Sequence, residues 1–494
     1  MYIGGLDVGT TGCKLSVYTD KGEFVYNSYR EYEVSRKNGE HEVDAEMIFS
    51  SVCEVISDCA KSFKICAIGV TTFGETFAVL DENDRVLISS MLYTDPRGAE
   101  ECDALCRTLG QKKMTEISGV KPHSMYSLPK IMWIKNNLPE LFSRVKRIML
   151  MEDYIVYRLC GKAQIDYSLA ARTMAFDIRN KCWSKEIFDA AGIDTSLMSE
   201  PVATGSVAGN IRAELAKKLG VLPDTKIING AHDQVASAVG AGVFDVGEAV
   251  DGTGTVECVV PVFDRIPENE SLYEEGYSVV PYVFDGTYVC YALSFTGGAV
   301  LKWFRDNFTE AVKGEGNVYA ALDKKAPKKP TGILVLPHFA GAANPYMDNG
   351  SRACMLGLTL EHRTEDIYKA LMEGVTYEIM TNIEHLESFG ISLDKLYATG
   401  GGATSDVWLK IKADVLSRPV TALEAKEVGA CGTCMLTGVA IGIYENLYEA
   451  KRYFVKERKT YLPDEENSKI YSKYYGAYSK LYGATRQITE EISR

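Results

Sequence analysis

Asp7-Val8-Gly9-Thr10-Thr11-Gly12 lies between two short apolar runs, Tyr2 to Val8 and Lys14 to Thr19. Apolar runs joined through Gly and Thr read as strand, turn and strand. The arrangement returns roughly half the chain later. There Asp251-Gly252-Thr253-Gly254-Thr255 separates Gly247 to Val250 from Val256 to Phe263. Either turn alone reads as a tight hairpin. Two at the heads of similar β runs point to a duplicated domain, each half offering a backbone loop to one shared ligand. Glycines let N–H groups converge on an anion, threonine hydroxyls add donors, and an adjacent Asp suits Mg²⁺. Neither turn is a Gly-x-x-x-x-Gly-Lys-Ser/Thr loop or a Gly-x-Gly-x-x-Gly fingerprint, so phosphate binding here needs a different fold.

Further strands are predicted at Ile65 to Thr71 and Phe77 to Leu80, and helices at Asp44 to Ser62, Arg97 to Gly110 and Leu128 to Asn137. Strands alternating with helices give an α/β protein. The 494 residues exceed one core and divide near Phe244 to Gly247, into 1–245 and 246–494. With 54 Lys and Arg against 67 Asp and Glu, the net charge of −13 excludes a chain that tracks nucleic acid. Val428 to Tyr444 contains four glycines and two cysteines and reads as a buried small-residue helix rather than a membrane span. The start of the chain reaches Asp7 without a basic or apolar leader, and the 13 scattered cysteines read as reduced thiols, so a cytoplasmic protein is expected. Tyr471, Tyr475, Tyr478 and Tyr482 recur at helical spacing as a packing face.

Three more segments hold candidate chemistry. In Asn229-Gly230-Ala231-His232-Asp233-Gln234, before a small-residue helix, Asp233 is either a helix N-cap or a carboxylate that accepts a proton from a substrate hydroxyl. Thr399-Gly400-Gly401-Gly402, leading to Asp406, is either a tight strand-to-helix turn or a surface for a ribose or flat ring. Glu75, with Tyr93, Asp95 and Arg97 beyond the next strand, is either ion-paired or set to bind a polyol.

In this order the segments resemble the FGGY family of carbohydrate kinases over nearly the whole chain. Met125-Tyr126-Ser127-Leu128-Pro129-Lys130-Ile131-Met132-Trp133 fits its N-terminal signature. Ala353-Cys354-Met355-Leu356-Gly357-Leu358, with Asp366-Ile367 and Ala370-Leu371-Met372-Glu373, fits the C-terminal one. The resemblance implies two actin-like (ribonuclease H-like) domains with an interdomain active-site cleft. It implies Asp233 as catalytic base, and Glu75, Tyr93, Asp95, Asp233 and Gln234 at the sugar. It implies Thr10, Thr11, Lys14, Gly252, Thr253, Gly298, Gly401, Gly402 and Asp406 at ATP, and Asp7 at Mg²⁺. Its partners would be MgATP and a small sugar or polyol, with neither nucleic acid nor membrane, and members are often homodimers. A ketopentose such as xylulose is the expected acceptor, ahead of L-fuculose, gluconate, glycerol or erythritol. Gly74-Glu75-Thr76 departs from the Met-His-Gly usual in xylulokinases. A rival of another class is an actin-like ATP-binding chaperone or scaffold. Under a hundred residues follow Gly400, which leaves little chain for a peptide-binding module.

Overall fold

The computed structural model describes residues 1–268, 270–309, 317–425 and 427–492. The chain folds into two compact units, each assembled from segments distant in sequence.

The first unit comprises Met1–Gly242, Ser278–Val289 and Glu427–Val455. Its main sheet uses β1 (Tyr2–Val8), β2 (Gly12–Thr19), β3 (Phe24–Glu31), β4 (Ile65–Thr72), β5 (Val207–Asn210) and β6 (Lys226–His232), in the order β5-β6-β4-β1-β2-β3. β1 is antiparallel to β2, with Asp7 opposite Lys14, and parallel to β4, with Asp7 opposite Thr71. The helix Ala45–Ala60 starts at Asp44, whose carboxylate caps the amides of Glu46 and Met47. It buries Ile48, Val52, Val55 and Ile56 in a core with Leu15, Val17 and Val70.

The helix Val428–Ala440 packs in this same unit, far from it in sequence. Small residues allow this. A Cβ at Gly240 would stand 1.8 Å from the Val428 carbonyl oxygen, and one at Gly432 2.0 Å from that of Ala236. The helices Asp233–Gly240 and Val428–Ala440 thus touch backbone to backbone, and Thr433 Oγ1 lies 2.6 Å from Thr71 Oγ1 on β4. The sequence division at 245 assigns 278–289 and 427–455 to the second half. The structure groups both segments with the first. The 13 cysteines are free thiols, and only Cys182 is exposed.

The second unit comprises Val243–Tyr277, Cys290–Lys426 and Lys456–Arg494. Its strands β7 (Glu248–Thr253), β8 (Glu257–Phe263), β9 (Lys395–Thr399), β10 (Val420–Leu423) and β11 (Glu457–Tyr461) run in the order β8-β7-β9-β10-β11. The opening motif repeats here. β7 is antiparallel to β8, with Thr253 opposite Glu257, and parallel to β9, with Gly252 opposite Thr399. The tyrosine stripe is a packing face. Tyr471, Tyr475 and Tyr478 donate hydroxyl hydrogen bonds to Glu373, Glu384 and Glu378 of the helix Thr364–Ser388. Among the described residues, no helix is long and apolar enough to cross a membrane.

Candidate active site

Asp233 is the first residue of the helix Asp233–Gly240 and does not cap it. The cap position belongs to His232, which makes no side-chain capping bond. The N-cap reading of Asp233 is therefore not what the structure adopts. Its side chain is 40% exposed, yet Oδ1 is buried and accepts no hydrogen bond among the described residues. Burial pushes its carboxyl up to about 6, against the opposing pull of bonds from Gln234 and the charge of Arg172. His232 Nε2 lies 3.3 Å from that oxygen. Burial, and after it the Arg172 charge, holds this imidazole down at about 3, so it stays neutral.

Asp7, near the end of β1, is pushed up to about 6 by burial and then by the charge of Asp233, while Lys14 pulls it back. Two acids with little compensation therefore stand within electrostatic reach of each other. Lys14 Nζ is ion-paired with Glu427 at 2.5 Å. The adjoining turn is closed by Gly9 N–H donating to Gly12 O at 2.9 Å, and by the Tyr32 hydroxyl donating to Gly9 O. Thr11 is exposed and Thr10 half-buried.

Glu75 has a left-handed backbone, φ 64°, which a side chain other than Gly or Asn rarely adopts. Its carboxylate receives Arg172 Nε at 2.6 Å and also Nη2. The Arg172 guanidinium lies 5.1 Å from the Tyr126 ring centroid. The N-terminal signature holds this corner in place. Ser127 Oγ donates to the Glu75 carbonyl at 2.6 Å, and buried Lys130 donates to the carbonyls of Asp95 and Ser124, both at 2.7 Å. Tyr93 is 43% exposed, and its raised pKa reflects burial first, then the charges of Glu75 and Asp233. Asp95 differs from the polyol-binding expectation. Arg97 Nε and Nη2 at 2.8 Å and the amides of His41 and Arg97 occupy its oxygens, so it serves the fold.

In the second unit, Gly252, Thr253, Gly298, Gly401 and Gly402 converge. Gly298 opens the helix Gly298–Phe308, and its amide donates to Gly254 O at 2.7 Å. Gly400 has φ +80°, and a Cβ there would stand 2.5 Å from Thr253 O; one on Gly402 would meet Thr253 Cγ2 at 2.5 Å. Thr253 departs from the expectation of a hydroxyl donor for phosphate. Its residue is 1% exposed, and its Oγ1 accepts from Lys412 Nζ at 2.7 Å. Asp406 starts the helix Asp406–Leu416 and accepts from the Tyr461 hydroxyl at 2.5 Å.

Three participants were missed in the sequence: Arg172, Glu427 and Lys412. The first two carried no usable signal, since their partners lie 97 and 413 residues away. Lys412 had one, because it interrupts the apolar face made by Trp408, Leu409, Ile411 and Val415.

Mg²⁺ fits this donor set. Among the described residues no cluster of three or more His, Cys, Asp or Glu is arranged to hold a metal. Mg²⁺ at phosphoryl-transfer sites is held by one or two carboxylates, with phosphates and water completing the shell. Asp7 would supply such a carboxylate.

The model for the N-terminal domain of the FGGY family of carbohydrate kinases matches residues 2–240, and that for its C-terminal domain matches 276–441. A xylulose kinase of Bacillus subtilis (strain 168) is 25% identical over 99% of this chain and 98% of its own. A gluconokinase of Bacillus licheniformis is 28% identical over 100% of this chain and 98% of its own. The solved structure of a ligand-bound xylulose kinase from Lactobacillus acidophilus gives a TM-score of 0.89 at 25% identity, covering 99% of both chains. These matches set aside the chaperone rival. With both domain models matched in order, and with relatives aligned end to end, this chain is an α/β protein with the two-domain actin-like fold and belongs to the FGGY family of carbohydrate kinases.

Proposed function

We propose that this carbohydrate kinase transfers the γ-phosphoryl group of MgATP to a hydroxyl of a ketopentose such as xylulose, in the cytoplasm. Free thiols suit that reducing compartment. One observation carries the reading: Asp233 heads its helix without capping it and keeps a buried oxygen that accepts no hydrogen bond among the described residues, with the neutral His232 imidazole 3.3 Å away. A carboxylate oxygen that makes no structural bond is suited to receive a substrate hydroxyl. Its raised pKa, about 6, is suited to accepting the proton as the new O–P bond forms. The transition state is loose, so alignment contributes more than base strength.

Around Asp233, the Glu75–Arg172 pair, Tyr93 and Gln234 provide donors and acceptors for sugar hydroxyls. Asp7 would hold Mg²⁺, which neutralises phosphate charge when bound. The turn at Thr10 and Thr11, the backbone at Gly252 and Thr253, and Gly298 would receive phosphates. Gly401, Gly402 and Asp406 would receive the nucleoside.

A coupled ADP-release assay over xylulose, L-fuculose, gluconate, glycerol and erythritol tests this. The highest kcat/KM is expected for the ketopentose. A preference for gluconate or glycerol replaces the substrate and keeps the chemistry. ADP release that ignores every acceptor overturns the reading.

A further inference from the structure

The second unit buries a charge cluster that the proposed chemistry does not use. Lys412 on the helix Asp406–Leu416 is 1% exposed. Its ammonium donates to Asp251 Oδ2, to Thr253 Oγ1 at 2.7 Å and to Glu257 Oε1 at 2.7 Å. An ammonium has three donors and no acceptor, so all three hydrogens are committed. Asp251 and Glu257 are both 0% exposed. Burial raises the Glu257 carboxyl above its ordinary value, which favours one shared proton and a neutral cluster.

Stability alone does not account for such a group. A buried ion cluster recovers little more than its desolvation cost, and apolar replacements of similar volume are often as stable. Its position is more informative. Asp251 and Thr253 belong to β7, and Glu257 sits opposite Thr253 on β8. Lys412 comes from the helix that follows the Gly400–Gly402 turn, whose glycines close on Thr253. Lys412 thus ties the β7–β8 turn to the helix that follows the Gly400–Gly402 turn, and Thr253 is the residue both meet. Because Lys412 can only donate, Thr253 Oγ1 must accept, so its hydroxyl is turned inward and the turn keeps its backbone for a ligand.

We propose that Lys412 is a positioning residue for the nucleotide. By clamping Asp251, Thr253 and Glu257 it fixes the phosphate turn and the Gly400–Gly402 turn in register before ATP binds. This rests on the function proposed above, since it presumes that these turns receive ATP.

Lys412→Met leaves two buried acids without a counter-ion and is liable to unfold. The triple variant Lys412→Met, Asp251→Asn, Glu257→Gln carries no buried charge and is the informative one. It should melt close to the wild type, keep its KM for sugar, and raise its KM for MgATP by roughly 10- to 100-fold. A folded triple variant with a wild-type KM for MgATP overturns the proposal. Amide hydrogen exchange on the unliganded wild type gives an independent test. Amides of residues 254–256, in the turn itself, should exchange as slowly as those of the β7–β8 ladder; exchange at surface-loop rates overturns the clamp. Calorimetry with MgATP separates the two readings. A wild type that binds no MgATP fails both, whereas a wild type that binds and turns over while the triple variant matches it fails only this one.

Discussion

The two Gly/Thr turns share a frame and differ in charge. In each unit an Asp-bearing strand pairs antiparallel with the strand after the turn and parallel with a later one. Asp7 keeps an acidic neighbour, Asp233, and the cation that pulls on it, Lys14, is engaged by Glu427. Asp251 is 0% exposed and ion-paired with Lys412. One backbone plan therefore carries an acid with an acidic neighbour and an acid paired from within. On the proposed function the split has a use: an uncompensated carboxylate at the second turn would repel phosphates, whereas at the first it would draw in Mg²⁺.

Substitutions can break this comparison. The largest effect is expected for Asp233→Asn, which should lower kcat by roughly 10²- to 10⁴-fold while a calorimetric Kd for MgATP holds. Near-normal turnover would reduce Asp233 to a structural residue. Next, Asp7→Asn should shift the Mg²⁺ activation midpoint upward by roughly 10- to 100-fold, whereas Asp251→Asn should leave that midpoint in place. A shift in both would erase the distinction between the turns. The two lysines then separate in denaturant unfolding. Lys412→Met strands buried acids and should cost about 3–5 kcal/mol. Lys14→Met loses a partly exposed pair and should cost about 1 kcal/mol or less.

The smallest effect concerns pH. The Asp7 and Asp233 carboxyls sit at about 6 when folded, above their ordinary 3.8. The native state therefore keeps these protons longer than the unfolded chain. The stability they contribute is full below 3.8 and is lost as pH rises through about 6. Between about pH 5 and about pH 7 the unliganded melting temperature should fall less in Asp233→Asn than in the wild type. An equal fall would place the titration elsewhere.

Local signals made the frame legible. β1, β4, β7 and β9 announce themselves as short apolar runs, and the two Gly/Thr turns mark where β1 and β7 end. The small residues of the helix at 428–440 reveal that it is buried, but not which unit it serves. That depends on Gly432 meeting Ala236, a fit of two surfaces that no run of residues encodes. The site is legible in the same uneven way. Asp233 stands out by its context, yet whether it caps the helix depends on one dihedral turn at His232. Asp95 looks like Glu75 in sequence, and only their partners separate them: Arg97 with two amides for one, Arg172 for the other.

The long-range seating of the helix Val428–Ala440 bears on the order of synthesis. Ribosomes deliver the first 242 residues early, and domains ordinarily fold as they emerge. This one lacks the partner of its Asp233–Gly240 helix until residue 440 has been made. The nascent first unit therefore waits, with β4 and that helix uncovered, while residues 243–440 are made. A fragment ending at 245 should be an aggregating species rather than a small domain, and chaperone dependence during elongation should concentrate in that interval.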